Sequence, residues 1–187
     1  MFKLTAGIIF ILGLIYVIPP GPAKIEDFPA IPDSLKSDEP GDTIQDPNIA
    51  AYFSNFDRRE ITEYYRNAYR KQFLFGQLFP PVSLNYPTRD SWQYVREYQR
   101  STFLEEYVYP LHGSIFVNGH EIYVEKELLK LPHDPLGDRM QIKDKFFRSK
   151  TTIRFYPNSW NTRLLVYLGV WLSVLGIYIM GKKVILR

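Results

Sequence analysis

The sequence predicts a membrane-anchored α+β fold. Two transmembrane helices, one N-terminal and one C-terminal, flank one small extracytoplasmic domain of two helices plus a small antiparallel sheet. Three observations point there. Apolar runs occupy Leu4 to Ile18 and Leu164 to Met180 of the 187 residues. The charges beyond the outer ends of those runs are all basic: Lys3, Lys182, Lys183 and Arg187. Between the runs the apolar pattern changes from a helical period to an alternating one.

The first run, "LTAGIIFILGLIYVI", follows Lys3 and ends at Pro19-Pro20. Proline lacks an amide donor and clashes with the preceding turn. A basic start and an apolar stretch also describe a cleaved signal peptide. Gly21-Pro22-Ala23 is a poor small-x-small cleavage site, so residues 1–18 are expected to remain as a transmembrane helix or uncleaved signal anchor. The second run has 17 residues without a charge, framed by Arg163 and Lys182-Lys183. An α-helix needs about 17–25 apolar residues to cross the hydrocarbon layer, and every amide there must be bonded within its own segment. Residues 161–181 read as the second transmembrane helix and 182–187 as a basic cytoplasmic tail. Trp160 and Tyr178 fall near the run's two ends, where headgroups favour amphipathic rings.

Setting the four terminal cations aside leaves 19 basic against 20 acidic residues. The tips are purely basic and the middle is close to neutral. The positive-inside rule then places both termini in the cytoplasm and the central domain outside the cell membrane. The net charge of +3 sits on membrane flanks and gives no sign of nucleic-acid binding. Each run also carries small residues seven apart, Ala6 and Gly13 in the first, Gly169 and Gly176 in the second, with Ser173 four after Gly169. Two turns separate each pair, so each lies on one helix face where backbones approach closely. These residues are candidates for helix–helix packing, within the chain or between copies.

Residues 19–47 hold seven of the 14 prolines and read as a Pro-rich linker. Such a chain is extended and advances about 3.1 Å per residue. It either spaces the domain from the bilayer or lies on it as a strap through Ile25, Phe28, Ile31 and Leu35. Residues 48–160 form the domain. Asp57 and Glu60 have capping-box spacing, and Ile61, Tyr64, Tyr65, Ala68 and Phe75 gather on one side of an amphipathic helix that ends near Gly76. A second helix is expected from Asp90 to Tyr107, with Trp92, Val95, Phe103 and Tyr107 on one face. Tyr94 and Tyr98 fall on its outer side and are the candidate partner surface, since tyrosine offers rigid amphipathic contact area.

The period then becomes two. In "SIFVNGHEIYVE", Asn118-Gly119 between alternating apolar residues predicts a two-residue type I′ hairpin. "MQIKDKFF" and "KTTIRFYP" are two further strand candidates. The last one runs through "NSWNT" almost directly into the second membrane run, which pins the sheet close to the bilayer.

The chemistry inventory is mostly exclusion. The chain has no cysteine, which removes thiol nucleophiles, disulfides, thiolate metal sites and iron–sulfur ligation. Phosphate-binding glycine loops and the GxSxG and HExxH motifs do not occur. Three histidines remain, His112, His120 and His133, at a spacing that matches no known zinc pattern. His112 stands near Ser114, but nothing supplies the third group or an oxyanion hole. Of the carboxylate pairs, Glu105 and Glu106 diverge on a helix, and Glu125 and Glu127 share a face only if their strand continues. No catalytic residue, metal or cofactor is therefore assigned. The expected role is a non-catalytic accessory or scaffold subunit of a cell-envelope assembly. Its partners would be the lipid bilayer and a protein partner, or a second copy through the membrane helices. The alternative is a glycan or envelope-polymer binding module, and behind it a membrane-tethered hydrolase.

Overall fold

A computed structural model of the chain describes residues 2–43, 47–86, 102–121 and 139–185. Its elements in order are α1 (Phe2–Val17), β1 (Leu35–Lys36), a short α2 (Pro40–Thr43), β2 (Ile49–Ser54), α3 (Arg58–Lys71), β3 (Val82–Tyr86), β4 (Thr102–Tyr109), β5 (Gly113–Glu121), β6 (Met140–Ile142), β7 (Lys145–Phe147), β8 (Ser149–Pro157) and α4 (Trp160–Ile185). Single 3-10 turns lie at Ile25–Asp27 and Leu74–Gln77. The chain divides into two compact units. One is Pro22–Tyr109 with Gly113–Pro157. The other is Met1–Gly21, Pro110–His112 and Asn158–Arg187.

The first unit is built on a six-stranded antiparallel sheet in the order β1-β2-β8-β5-β4-β3. Alternation decides its faces. On β8, Thr151, Ile153 and Phe155 point into the core while Thr152, Arg154 and Tyr156 point to the other side. In register with them, Ile115 and Val117 of β5 and Phe103 and Tyr107 of β4 complete the inner face. Helix α3 covers it with Ile61, Tyr65 and Tyr69. Its start is fixed by a capping box: Asp57 Oδ1 accepts from the Glu60 amide at 2.8 Å, and Glu60 Oε2 accepts from the Asp57 amide at 2.8 Å.

Tyrosines fill this core and need partners for their hydroxyls. Tyr69 donates to the Gly113 carbonyl at 2.8 Å, Tyr107 to the Thr62 carbonyl at 3.0 Å and Tyr109 to the Phe79 carbonyl at 2.8 Å. Burial raises the phenols of Tyr52, Tyr64, Tyr65 and Tyr107, and pushes Tyr109 up to about 12, so these groups stay protonated and structural. The Pro-rich stretch packs onto the same core through Ile25, Phe28 and Ile31, with Phe28 tilted against Phe155 at 5.1 Å and Tyr69 at 5.9 Å. A strap, rather than a free spacer, describes these residues.

Three expectations need correction. The helix expected from Asp90 to Tyr107 is not helical in its described part: Thr102–Tyr109 is strand β4. Phe103, Glu105 and Tyr107 pair with Gly119, Val117 and Ile115, so the segment obeys a period of two, and cross-strand packing overrides its helical reading. Second, Asn118-Gly119 is no turn. Both residues lie inside continuous strand β5, paired on one side to β4 and on the other to β8. Glycine is needed there for space, because a Cβ on Gly119 would collide with the Phe103 ring. Third, "MQIKDKFF" is not one strand but the β6–β7 hairpin, with Ile142 opposite Lys145. Its turn residues Lys143 and Asp144 both have positive φ, 48° and 63°, the requirement of a type I′ turn.

The second unit holds α1 and α4, which pack on one another. Tyr167 donates to the Phe10 carbonyl at 2.6 Å, and Phe10 meets the Trp171 ring edge-on at 5.4 Å. Helix α4 has 26 residues, about 39 Å of helix against a hydrocarbon core of about 30 Å. Helix α1 has 16 residues, about 24 Å. Among the described residues only α4 is long and apolar enough to cross a membrane; α1 is apolar but shorter. None of the residues in the 18-residue apolar stretch of α4 is buried against protein.

Candidate functional site

The outer face of the sheet, opposite α3, carries a shallow depression with a cavity volume of about 40 Å³. Leu104, Phe116, Asn118, Thr152, Arg154 and Tyr156 line it. The β-strand period brings them together: Phe116 pairs with Arg154, Asn118 with Thr152 and Leu104 with Asn118 across three neighbouring strands. Tyr86 on β3 lies near-parallel to Phe116, 24° apart with centroids at 6.1 Å, and Tyr156 meets Phe116 edge-on at 78° and 5.4 Å. Arg154 Nη1 donates to the Tyr156 hydroxyl at 3.3 Å. Asn118 Oδ1 is buried and accepts no hydrogen bond from the described residues. A guanidinium, an amide carbonyl and a hydroxyl thus sit among three aromatic rings. The depression is far smaller than the roughly 300–1,000 Å³ of a small-molecule pocket, so this face offers a shallow contact surface of mixed apolar and hydrogen-bonding groups. Its lining residues include no nucleophile paired to a base.

Comparison with known protein families, curated proteins and solved structures finds no match for this chain.

Function then rests on the chain's own groups. The carboxylates of β4 do not form a shared pair, because strand geometry sends Glu105 and Glu106 to opposite faces. Glu105 accepts from Arg58 at 3.0 Å and, at 2.7 Å, shares with the Thr62 carbonyl the single hydrogen of the Tyr107 hydroxyl, while Glu106 accepts from Tyr86 at 2.5 Å. Glu125, Glu127 and His133 lie outside the described residues, as do Tyr94 and Tyr98. Among the described residues no three potential metal ligands cluster.

His112 has a defined setting in the unit of the terminal helices. Arg163 Nη1 lies 2.6 Å from His112 Nδ1, and Nε2 lies 2.9 Å from the Tyr16 carbonyl. A guanidinium only donates, so Nδ1 accepts and Nε2 carries the hydrogen that Tyr16 receives. The ring is neutral with both nitrogens used, which leaves neither as a base for Ser114. Burial lowers its proton affinity most; the bond to Tyr16 opposes this and the Arg163 charge adds to it. The same Arg163 nitrogen donates to the Pro19 carbonyl at 2.9 Å, and Tyr16 donates its hydroxyl to the Pro110 carbonyl at 2.8 Å. The arrangement ties the end of α1, the first turn of α4 and the Pro110–His112 turn into one polar knot. No local signal in the sequence connects these residues, which lie far apart along the chain.

The small residues divide into two groups. A Cβ on Gly13 would collide with the Tyr167 ring and hydroxyl, so Gly13 is where α4 approaches α1. A Cβ on Gly169 or Gly176 would meet nothing within 4 Å among the described residues, and Ser173 returns its hydroxyl to the Gly169 carbonyl at 2.9 Å.

Proposed function

We propose that the protein is a non-catalytic accessory or scaffold subunit of a cell-envelope assembly. Helix α4 anchors it in the membrane, with α1 lying against α4 as a second membrane segment. The basic tips face the cytoplasm and the sheet domain stands outside, where it engages a protein partner across its outer face. The observation that carries the reading is α4 itself: 26 helical residues whose apolar side chains are turned outward. Water around that surface would oppose it at about 25 cal/mol per Å², whereas hydrocarbon does not. The outer sheet face supports the partner assignment. Val82 and Leu84 of edge strand β3 are exposed beside the Tyr86–Phe116–Tyr156 group, and an edge strand offers unpaired backbone groups to a partner. A saccharide platform would favour coplanar rings; Tyr86 and Phe116 approach that, but Tyr156 stands perpendicular to Phe116.

The test is to purify the full chain from gently solubilised membranes with a photo-crosslinking residue in place of Leu84 or Tyr156. We expect one envelope protein to co-purify in near-equal amount and to crosslink at these positions but not at Lys145. Recovery of a lone chain carrying bound saccharide would replace this reading with the polymer-binding one. Recovery in the aqueous fraction without detergent would remove both.

A further inference from the structure

The turn after α3 presents apolar side chains that the described fold leaves uncovered. Leu74 is 85% exposed, Leu78 78% and Phe79 59%, while Phe73 between them and the helix is buried. The turn is held rigidly in this pose. Arg70 Nε donates to the Gly76 carbonyl at 2.6 Å and Nη2 to the Gln77 carbonyl at 2.8 Å. Tyr109 donates to the Phe79 carbonyl, and Phe73 and Phe75 pack on its ring at 4.5 and 5.3 Å. Gly76 allows the backbone to close on Arg70, since a Cβ there would collide with the Arg70 carbonyl. Inward residues anchor the turn and outward ones are left bare.

The position of the turn names its partner. It sits on Tyr109, whose rung of the sheet runs from Gly113 to Pro157, the last residue of β8. Only Asn158 and Ser159 separate Pro157 from the start of α4. The three Cα steps from Pro157 to Trp160 span at most about 11 Å, so this end of the sheet is covalently tethered near the membrane boundary if α4 spans the bilayer. The charge suits a lipid surface as well. From Tyr64 through Tyr86 the chain has no acidic residue, and Arg66, Arg70 and Lys71 are its charges.

We infer that Leu74, Leu78 and Phe79 insert into the headgroup–acyl boundary of the bilayer that α4 crosses, giving the domain a second, peripheral contact with lipid. Cations of the last turn of α3 lie at headgroup level beside them, the arrangement of an interfacial anchor. This rests on α4 as the membrane span, and the experiment separates the two.

The chain lacks cysteine, so one introduced cysteine takes one label. The full-length variants Leu78→Cys, Leu74→Cys, Leu172→Cys and Lys145→Cys are labelled with bimane. They are reconstituted in phosphatidylcholine–phosphatidylglycerol vesicles with and without 5-doxyl phosphatidylcholine, replaced for Leu172→Cys, in the middle of α4, by the deeper 12-doxyl lipid. Lys145, on the hairpin at the opposite end of the sheet, reports water. Leu172 reports the span. Positions 74 and 78 should show blue-shifted emission, roughly twofold quenching by the doxyl lipid and weak quenching by iodide, as expected for rings and chains buried about 5–10 Å into the interface. If Leu172→Cys is quenched by lipid but 74 and 78 answer to iodide like 145, the lipid contact is overturned and the anchor stands. If Leu172→Cys escapes the lipid quencher, the anchor falls and this contact with it.

Discussion

Gly119 shows how a single side chain's absence sets a strand. Its neighbour across the sheet is Phe103, whose ring occupies the space over the glycine. Gly119→Ala must push that ring aside in a filled core, and overpacking of this size costs about 1–3 kcal/mol. Chemical denaturation of the detergent-solubilised protein should show that loss, and a Phe103→Leu partner change should recover part of it; an unchanged midpoint would mean the ring moves freely. His112 sets a second residue-scale expectation. Its folded-state proton affinity lies below the ordinary value of 6.5, chiefly because it is buried. The unfolded chain therefore binds more protons as pH falls through 6.5, and its share of stability, complete above that value, is lost toward the lower folded pKa. Protonation would also place a hydrogen on Nδ1 against the Arg163 guanidinium. Thermal unfolding should drop more steeply between pH 7 and 5 for the natural chain than for His112→Gln. Equal slopes would place the acid sensitivity elsewhere.

Among the elements, the start and buried side of α3 were legible, although it ends at Lys71 and not near Gly76, and β5 was not, for reasons that differ in range. The start of α3 depends on Asp57 and Glu60, three residues apart, and its buried side on a 3.6-residue period. Both signals are local. Asp57→Ala should cost about 1 kcal/mol, the usual loss of a good cap, read as a lowered denaturation midpoint with unchanged outer-face crosslinking. The middle of β5 offered Asn-Gly, the strongest local hairpin signal, yet β4 and β8 hold it straight from both sides. Ladder bonds on two edges outweigh one turn preference. The true type I′ turn uses Lys143-Asp144, where aspartate tolerates the left-handed region and, among the described strands, β6 and β7 pair with one another alone. The outer-face depression was invisible because its six residues come from three strands, β4, β5 and β8, and β5 and β8 are neighbours in the sheet though not along the chain. The two tyrosines singled out for a partner, Tyr94 and Tyr98, lie in the part not described. The proposed partner surface uses Tyr86 and Tyr156, on the outer face of the sheet, instead.

At the scale of the molecule, the two terminal helices differ in how membrane insertion would hold them. α4 is long enough to span unaided, whereas α1 falls about 6 Å short of a hydrocarbon core of about 30 Å. A short helix is accommodated by thinning the bilayer or by association with a longer one, and the packing of Phe10 and Gly13 on Tyr167 and Trp171 supplies the association. Gly13→Leu separates these two contributions. A side chain there collides with the Tyr167 ring and so drives α1 off α4, while the apolar length of each helix is unchanged. Cysteines placed at Phe10 and Trp171, whose ring centroids stand 5.4 Å apart, report the contact when a short bis-maleimide joins them in an intrachain bond. The bond should form readily in the natural background and poorly with Gly13→Leu, while alkaline carbonate leaves both proteins in the membrane pellet. That result makes α4 the anchor and α1 its packed companion. Release of Gly13→Leu into the supernatant would make the pair, not α4, the unit that holds the chain in the bilayer. An undiminished bond would mean that the Gly13 contact does not set the helix pair.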